Sequence, residues 1–227
     1  MRDMFHPQVI KHNFFDKEEV EDIKNKVFNL KQHWSYLMKP LLNPESLDVQ
    51  MLPAGLYSMP YDQYAATLSS TRLLMEENFS LYYEKIKQSI SEYLNRPVEY
   101  SAKMHYPGFH IFILDKDSDR ACYHGYNFHR DNFQTPDLSM DQVYSFIIPI
   151  SLPKTGGSLI YKISNDALSR NYNSDQDVVF PYSVGSLITW PGHIWHSIDP
   201  FCLNYPESRI TMQCHAGLNR SRCIIFW

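Results

Sequence analysis

Apolar residues recur along this chain with two periods, and the change from one to the other falls near Pro97. Before it, the spacing is helical. Val20, Ile23, Val27 and Leu30 repeat at three- and four-residue intervals, which predicts an amphipathic helix from Asp16 to about Lys31. Asp16 stands at the N-cap and Glu19 at the third helical position, the two ends of a capping box. From Trp34 to Pro60 the chain is broken by Pro40, Pro44, Pro53 and Gly55, and irregular structure over the core is expected there. A second helical region is predicted from about Tyr61 to Leu94, with an interruption near Ser69-Ser70. Leu81, Ile86, Ile90 and Leu94 supply its apolar stripe, and Asn95-Arg96-Pro97 ends it.

After Pro97 the runs are short and β-like. Val98 to Tyr106, Phe109 to Leu114, Tyr144 to Leu152, Ser158 to Ile163, Val178 to Phe180, Ser186 to Trp190, Arg209 to His215 and Cys223 to Phe226 are predicted strands. Asp115 to Arg120 reads as a charged loop. Many short strands divided by turn residues predict a sandwich or jelly roll, and helices first with strands afterwards predict α+β, the helices packed on one sheet. No repeat or linker divides the chain. A single domain over 1–227 is expected, mainly helical and irregular to residue 97, with the β core from 98 onward.

Composition narrows this picture. With 227 residues, 44% hydrophobic and 15% aromatic, the chain can build a substantial core. A net charge of -4 advertises neither nucleic acid nor an anionic membrane as partner. The N-terminal residues form no apolar signal region, and no later run approaches a membrane span. Cys122, Cys202, Cys214 and Cys223 lack CxxC spacing and are read as reduced thiols of a cytoplasmic protein.

Candidate chemistry is concentrated in the β half. On an extended strand, side chains at i and i+2 share a face. His129 and Asp131 can therefore grip one metal ion while Arg130 faces elsewhere, and a third ligand must come from another strand. Two histidines and one carboxylate are the ligand set of non-haem iron(II) oxygenases. His193 and His196 both qualify as the third ligand and, at i and i+3, would face opposite sides of a strand. Further on, alternation puts Arg209, Thr211, Gln213 and His215 on one face and Ile210 and Met212 on the other. A polar face turned into a barrel is expensive unless it binds something. A guanidinium fork suits a carboxylate.

The order of these motifs resembles the iron(II)/2-oxoglutarate-dependent oxygenases, particularly the branch with prolyl hydroxylases and small-molecule hydroxylases. It runs from Tyr126-Asn127-Phe128-His129-Arg130-Asp131 through Gly156-Gly157-Ser158-Leu159 and Gly185-Ser186-Leu187 to His196-Ser197-Ile198-Asp199-Pro200 and Arg209-Ile210-Thr211. The resemblance covers about the C-terminal half. It implies a double-stranded β-helix with iron(II) on His129, Asp131 and His196, the last favoured over His193 by the residues that follow it. It also implies 2-oxoglutarate as co-substrate, its distal carboxylate on Arg209 assisted by Thr211. Gln213, and His215 beyond it, are added from strand parity. Tyr126, Asn127 and Asn132 flank the ligand pair and are candidates to reach a substrate. Gly156 and Gly157 are read as a turn, Arg130 and Lys154 as surface charges.

The implied reaction consumes O2 and 2-oxoglutarate, releases succinate and CO2, and hydroxylates an unactivated C–H bond. Halogenating relatives carry a small residue in place of the carboxylate. Asp131 therefore favours hydroxylation, desaturation or cyclisation over chlorination. A compact chain without a peptide-binding module points to a small molecule, such as an amino acid or a biosynthetic intermediate. The alternatives are hydroxylation of a protein side chain, or a non-catalytic jelly-roll module that binds a ligand.

Overall fold

The structure, a computed structural model, describes residues 6–36, 47, 49–55, 60–114, 118–125, 128–131, 142–162, 177–218 and 222–227. It is a mixed α/β fold with two α-helices among the described residues and mostly antiparallel sheets. Helix α1 spans Lys17–Asn29 and α2 spans Tyr61–Leu94. The strands are β1 (Gln8–Lys11), β2 (Ser35–Tyr36), β3 (Gln50–Leu52), β4 (Val98–Tyr100), β5 (Gly108–Ile113), β6 (Arg120–Tyr123) and β7 (Gln142–Ser151). They continue with β8 (Leu159–Lys162), β9 (Asp177–Phe180), β10 (Leu187–Pro191), β11 (His196–Ile198), β12 (Phe201–Asn204), β13 (Ser208–Leu218) and β14 (Cys223–Phe226).

The capping box predicted for α1 is present: Asp16 accepts from the Glu19 amide and Glu19 from the Asp16 amide, each at 2.9 Å. Glu19 also receives Lys85 of α2 at 2.7 Å, which ties the two helices together. Replacing Asp16 with Ala should lower stability by about 1 kcal/mol, read as the shift of a urea midpoint at constant slope. An unchanged midpoint would show that the cap contributes nothing here.

Helix α2 runs unbroken through Ser69-Ser70. The hydroxyls of Thr67 and Ser70 fold back onto carbonyls of the preceding turn (Tyr64 O and Thr67 O, both 3.1 Å), so they do not divert the backbone. Its buried face is Met75, Phe79, Tyr82, Tyr83, Ile86 and Ile90, whereas Leu81 lies off that stripe and is 81% exposed. Asn95 ends the helix in the left-handed conformation. The segment expected to be irregular contributes β2 and β3 to a sheet. The first β run stops at Tyr100, short of Tyr106, and β6 begins at the end of the expected charged loop.

The main sheet has the order β1-β10-β7-β13-β5-β3-β2, with β14 beside the end of β13 and β4 parallel to β14. β13 is its axis. It pairs with β7 along one edge, and first with β5 and then with β14 along the other. Alternation sends Ile210, Met212, Cys214, Ala216 and Leu218 to the face covered by both helices, where they join Phe79, Ile86, Phe109 and Phe146. The opposite face is roofed by a smaller sheet, β11-β8-β9. Leu159 and Tyr161 from that sheet pack on Ile147, Ile188 and Trp190.

The cysteine expectation is overturned for one pair. β6 and β12 pair so that Cys122 lies opposite Cys202, with Cα atoms 4.0 Å apart, and the two form a disulfide across 80 residues of sequence. Cys214 and Cys223 are buried free thiols, and burial pushes Cys223 up to about 12. No helix of the described residues is long and apolar enough to cross a membrane.

Candidate metal centre

The His129–Asp131 segment is held against β11 by a single bridge. The His129 amide donates to the His196 carbonyl and the His196 amide to the His129 carbonyl, both at 3.0 Å. The Asp131 amide donates to the Gly192 carbonyl at 2.8 Å. A Cβ on residue 192 would sit 2.6 Å from the Asp131 carbonyl oxygen, so only glycine lets the segment come this close. These backbone pairings gather His129, Asp131 and His196, whose candidate ligand atoms all lie within 4.8 Å of one another. His129 Nε2 is 3.7 Å from Asp131 Oδ1, and His196 Nε2 is 3.3 Å from Oδ2. The side chain of His129 is 54% exposed while those of the other two are nearly closed off, so the cluster opens on the His129 side. His193 is exposed on the intervening turn and stands outside the cluster.

The donor set fits a metal ion. His196 Nδ1 lies 2.9 Å from the Ile194 carbonyl, which can only accept, so Nδ1 carries a proton and Nε2 is left as the atom that could bind a metal. Burial pushes the Asp131 carboxyl up, but His196, His215 and His129 outweigh it and hold the group ionised. Burial alone would lower His196, and Asp131 raises it instead. Three donors aimed at one point and opening on one side are the arrangement of a two-His-one-carboxylate site.

Arg209 is the largest fully buried side chain. Its Nε donates to the Gly157 carbonyl at 2.7 Å, and its guanidinium lies 5.3 Å from the Phe112 ring centroid and 5.7 Å from that of Phe201. Nη1 has no hydrogen-bond partner and no carboxylate pairs with the group among the described residues. Burial pushes it down to about 10, against the pull of Tyr182 and Tyr123. A charged fork left unpaired in this surrounding is expensive unless an anion joins it. Gly157 has φ +72°, a conformation that suits glycine and turns its carbonyl to the arginine. Thr211 Oγ1 and Gln213 Nε2, on the same face of β13, are likewise buried and without a partner among the described residues, and so is Nε2 of His110, the β5 residue opposite Thr211.

The structure thus groups His129, Asp131 and His196, and sets Arg209, Thr211, Gln213 and His215 along the same inner face. Tyr126, Asn127 and Asn132 lie outside the described residues. Lys154 is an exposed charge near Glu207, as expected. Arg130 is not a simple surface charge: it stacks 4.7 Å from the Trp195 ring with Nε buried. Four inner-wall residues were not anticipated: His110, Tyr123, Ser145 and Tyr182. Ser145 and His110 carry a signal, being polar residues at inward parity in apolar strands. The two tyrosines carry none.

The buried histidines make the fold acid-sensitive. Burial pushes His105 and His215 down to about 4 and His110 to about 3, against about 6.5 in an unfolded chain. As pH falls from 6.5 to 4 the unfolded state takes up protons that the folded state refuses. Stability therefore drops, by up to about 1.4 kcal/mol per pH unit for each histidine. His196, raised by Asp131, works in the opposite direction, so three oppose one. Urea midpoints of metal-free protein should fall as the pH is lowered from about 6.5 to 5. A flat profile would show that these imidazoles are not buried in their neutral form.

No family model matches the chain, and no curated protein matches it. Solved structures do. AviO1 from Streptomyces viridochromogenes Tue57 aligns at TM-score 0.55 and 15% identity, over 92% of this chain and 88% of its own. HygX from Streptomyces hygroscopicus, with nickel, 2-oxoglutarate and hygromycin B bound, aligns at TM-score 0.55 and 10% identity, over 96% and 85%. SnoN, a non-haem α-ketoglutarate-dependent epimerase from nogalamycin biosynthesis, aligns at 0.53 and 12%, over 90% and 77%. The chain has the fold of non-haem 2-oxoglutarate-dependent enzymes.

Proposed function

We propose that this chain is a non-haem Fe(II)/2-oxoglutarate-dependent oxygenase that hydroxylates an unactivated C–H bond of a small molecule, such as an amino acid or biosynthetic intermediate. Its core would be a double-stranded β-helix, the jelly roll of that class. One observation carries the proposal: an open two-His-one-carboxylate cluster shares an inner wall with a buried arginine that no carboxylate pairs with among the described residues. His129, Asp131 and His196 would hold iron(II). Arg209 would take the distal carboxylate of 2-oxoglutarate, with Thr211 and Gln213 offering polar atoms beside it. Bound iron, 2-oxoglutarate and O2 supply the oxidising chemistry, which releases succinate and CO2. The protein fixes the imidazole tautomer through Ile194, neutralises a buried carboxylate with Arg209, and keeps water away with Phe112, Phe201 and the Gly156-Gly157 turn. The small-molecule substrate is supported by HygX holding hygromycin B and by a SnoN complex with nogalamycin RO.

The test is succinate formation by anaerobically iron-loaded protein supplied with 2-oxoglutarate and O2, with and without an amino-acid panel. The expected product of a true substrate gains one oxygen in step with succinate, and added chloride leaves the products unchanged because Asp131 fills the position a halide would need. Succinate no higher than in the metal-free control overturns the proposal. A chlorinated product from the wild-type protein excludes Asp131 as a ligand.

A further inference from the structure

A file of buried polar groups reaches Asp131 from the side away from the opening. Ser145 lies on the inward face of β7, directly across from His215 of β13. Ser145 Oγ donates to Asp131 Oδ2, and His215 Nδ1 lies 3.2 Å from the same Oγ. The direction of this chain follows from proton counting. A hydroxyl has one proton and an ionised carboxylate only accepts, so the proton of Ser145 is spent on Asp131. Ser145 Oγ must then accept from His215, which carries its own proton on Nδ1. The imidazole plane is set by packing: it lies parallel to the Trp227 indole, 4° apart in tilt and 6.1 Å between centroids, with the Phe226 ring 5.7 Å away. Ser145, His215 and Asp131 are all buried.

Folding alone does not call for this arrangement. The neighbouring inward positions of β7 and β10 hold Ile147, Ile188 and Trp190, and apolar side chains at 145 and 215 would join them without desolvating a hydroxyl and an imidazole. The file ends on the one carboxylate of the ligand cluster, on the Oδ2 that also lies 3.3 Å from His196 Nε2, while Oδ1 lies 3.7 Å from His129 Nε2.

We infer that Ser145 and His215 are positioning residues for the metal-binding carboxylate: the relay His215 Nδ1–H to Ser145 Oγ–H to Asp131 Oδ2 fixes the orientation in which the carboxylate meets His129 and His196. This rests on the metal-centre reading above. Partners that orient a ligand in this way sustain metal affinity through geometry, and their loss typically weakens binding about 10–100-fold.

Co(II) without 2-oxoglutarate is the probe, because its visible spectrum reports ligand geometry and needs no turnover. Ser145→Ala and His215→Leu should each weaken Co(II) binding about 10–100-fold and alter the spectrum, with the thermal midpoint of the metal-free protein little changed. Ser145→Thr, which keeps the hydroxyl, and His215→Asn, which keeps a donor near Nδ1, should recover most of the affinity. Because the relay is serial, the double variant Ser145→Ala/His215→Leu should bind little worse than Ser145→Ala alone. Wild-type affinity and spectrum in Ser145→Ala overturn the relay, and so does a Thr variant as weak as the Ala variant. Should Ser145→Ala fail to fold, His215→Leu against His215→Asn makes the same comparison from the far end. If the wild-type protein takes up no Co(II), the metal-centre reading itself falls and the relay falls with it.

Discussion

Asp131→Asn is expected to abolish turnover and to weaken metal binding by more than the 10–100-fold typical of an outer-sphere change. Asparagine keeps the shape, and its amide oxygen can still accept from Ser145, but the negative charge is gone. That charge is what three imidazoles surround: His196, His215 and His129 together hold the carboxyl ionised in spite of complete burial. In the metal-free protein the same charge is paired with these imidazoles, and removing one partner of a buried pair also costs stability. Titration with Mn(II) or Co(II) and the succinate assay should collapse at temperatures where the variant is still folded, with the thermal midpoint of metal-free protein lowered. Wild-type metal affinity in Asp131→Asn would remove this residue from the ligand set.

The second large effect concerns Arg209. Its guanidinium is fully buried, anchored through Nε on Gly157 and flanked by two aromatic rings, with Nη1 unspent among the described residues. Arg209→Ala should raise the apparent KM for 2-oxoglutarate by a factor corresponding to about 2–5 kcal/mol, roughly thirtyfold to a few thousandfold. Arg209→Lys should recover little. An ammonium can neither bind a carboxylate as a fork nor keep the Nε–H bond to Gly157 while reaching the same place. Steady-state succinate formation against 2-oxoglutarate concentration decides the matter, and a wild-type KM in Arg209→Ala would show that the co-substrate binds elsewhere.

Much of the fold was legible in the chain, for local reasons. The capping box of α1 is a contact between residues three apart, so Asp16 and Glu19 announce it. Strand alternation is equally local, and the division of β13 into an apolar outer face and a polar inner one follows from its parity alone. The possible break in α2 misleads because serine is a poor helix former on average, yet a hydroxyl can bond back to its own helix. Leu81 misleads because apolar character was weighed without the tyrosines that occupy the buried stripe.

The sequence by itself determined which residues are chemically able to form a site: a His-x-Asp pair, two later histidines, and an arginine on a polar strand face. Tertiary structure decided which of these meet and in what state. His193 and His196 are three residues apart, and only the bridge to His129 singles out His196 for the cluster while His193 stays exposed on the turn. Cys122 and Cys202 are 80 residues apart, and only the pairing of β6 with β12 joins them. Ser145 is an unremarked hydroxyl in an apolar run until β7 and β13 come into register and place it between His215 and Asp131. The physical reason is the same each time. Backbone conformation is set within a few residues, whereas burial, unpartnered polar atoms and shifted proton affinities arise only when distant strands close around a shared interior and exclude water from it.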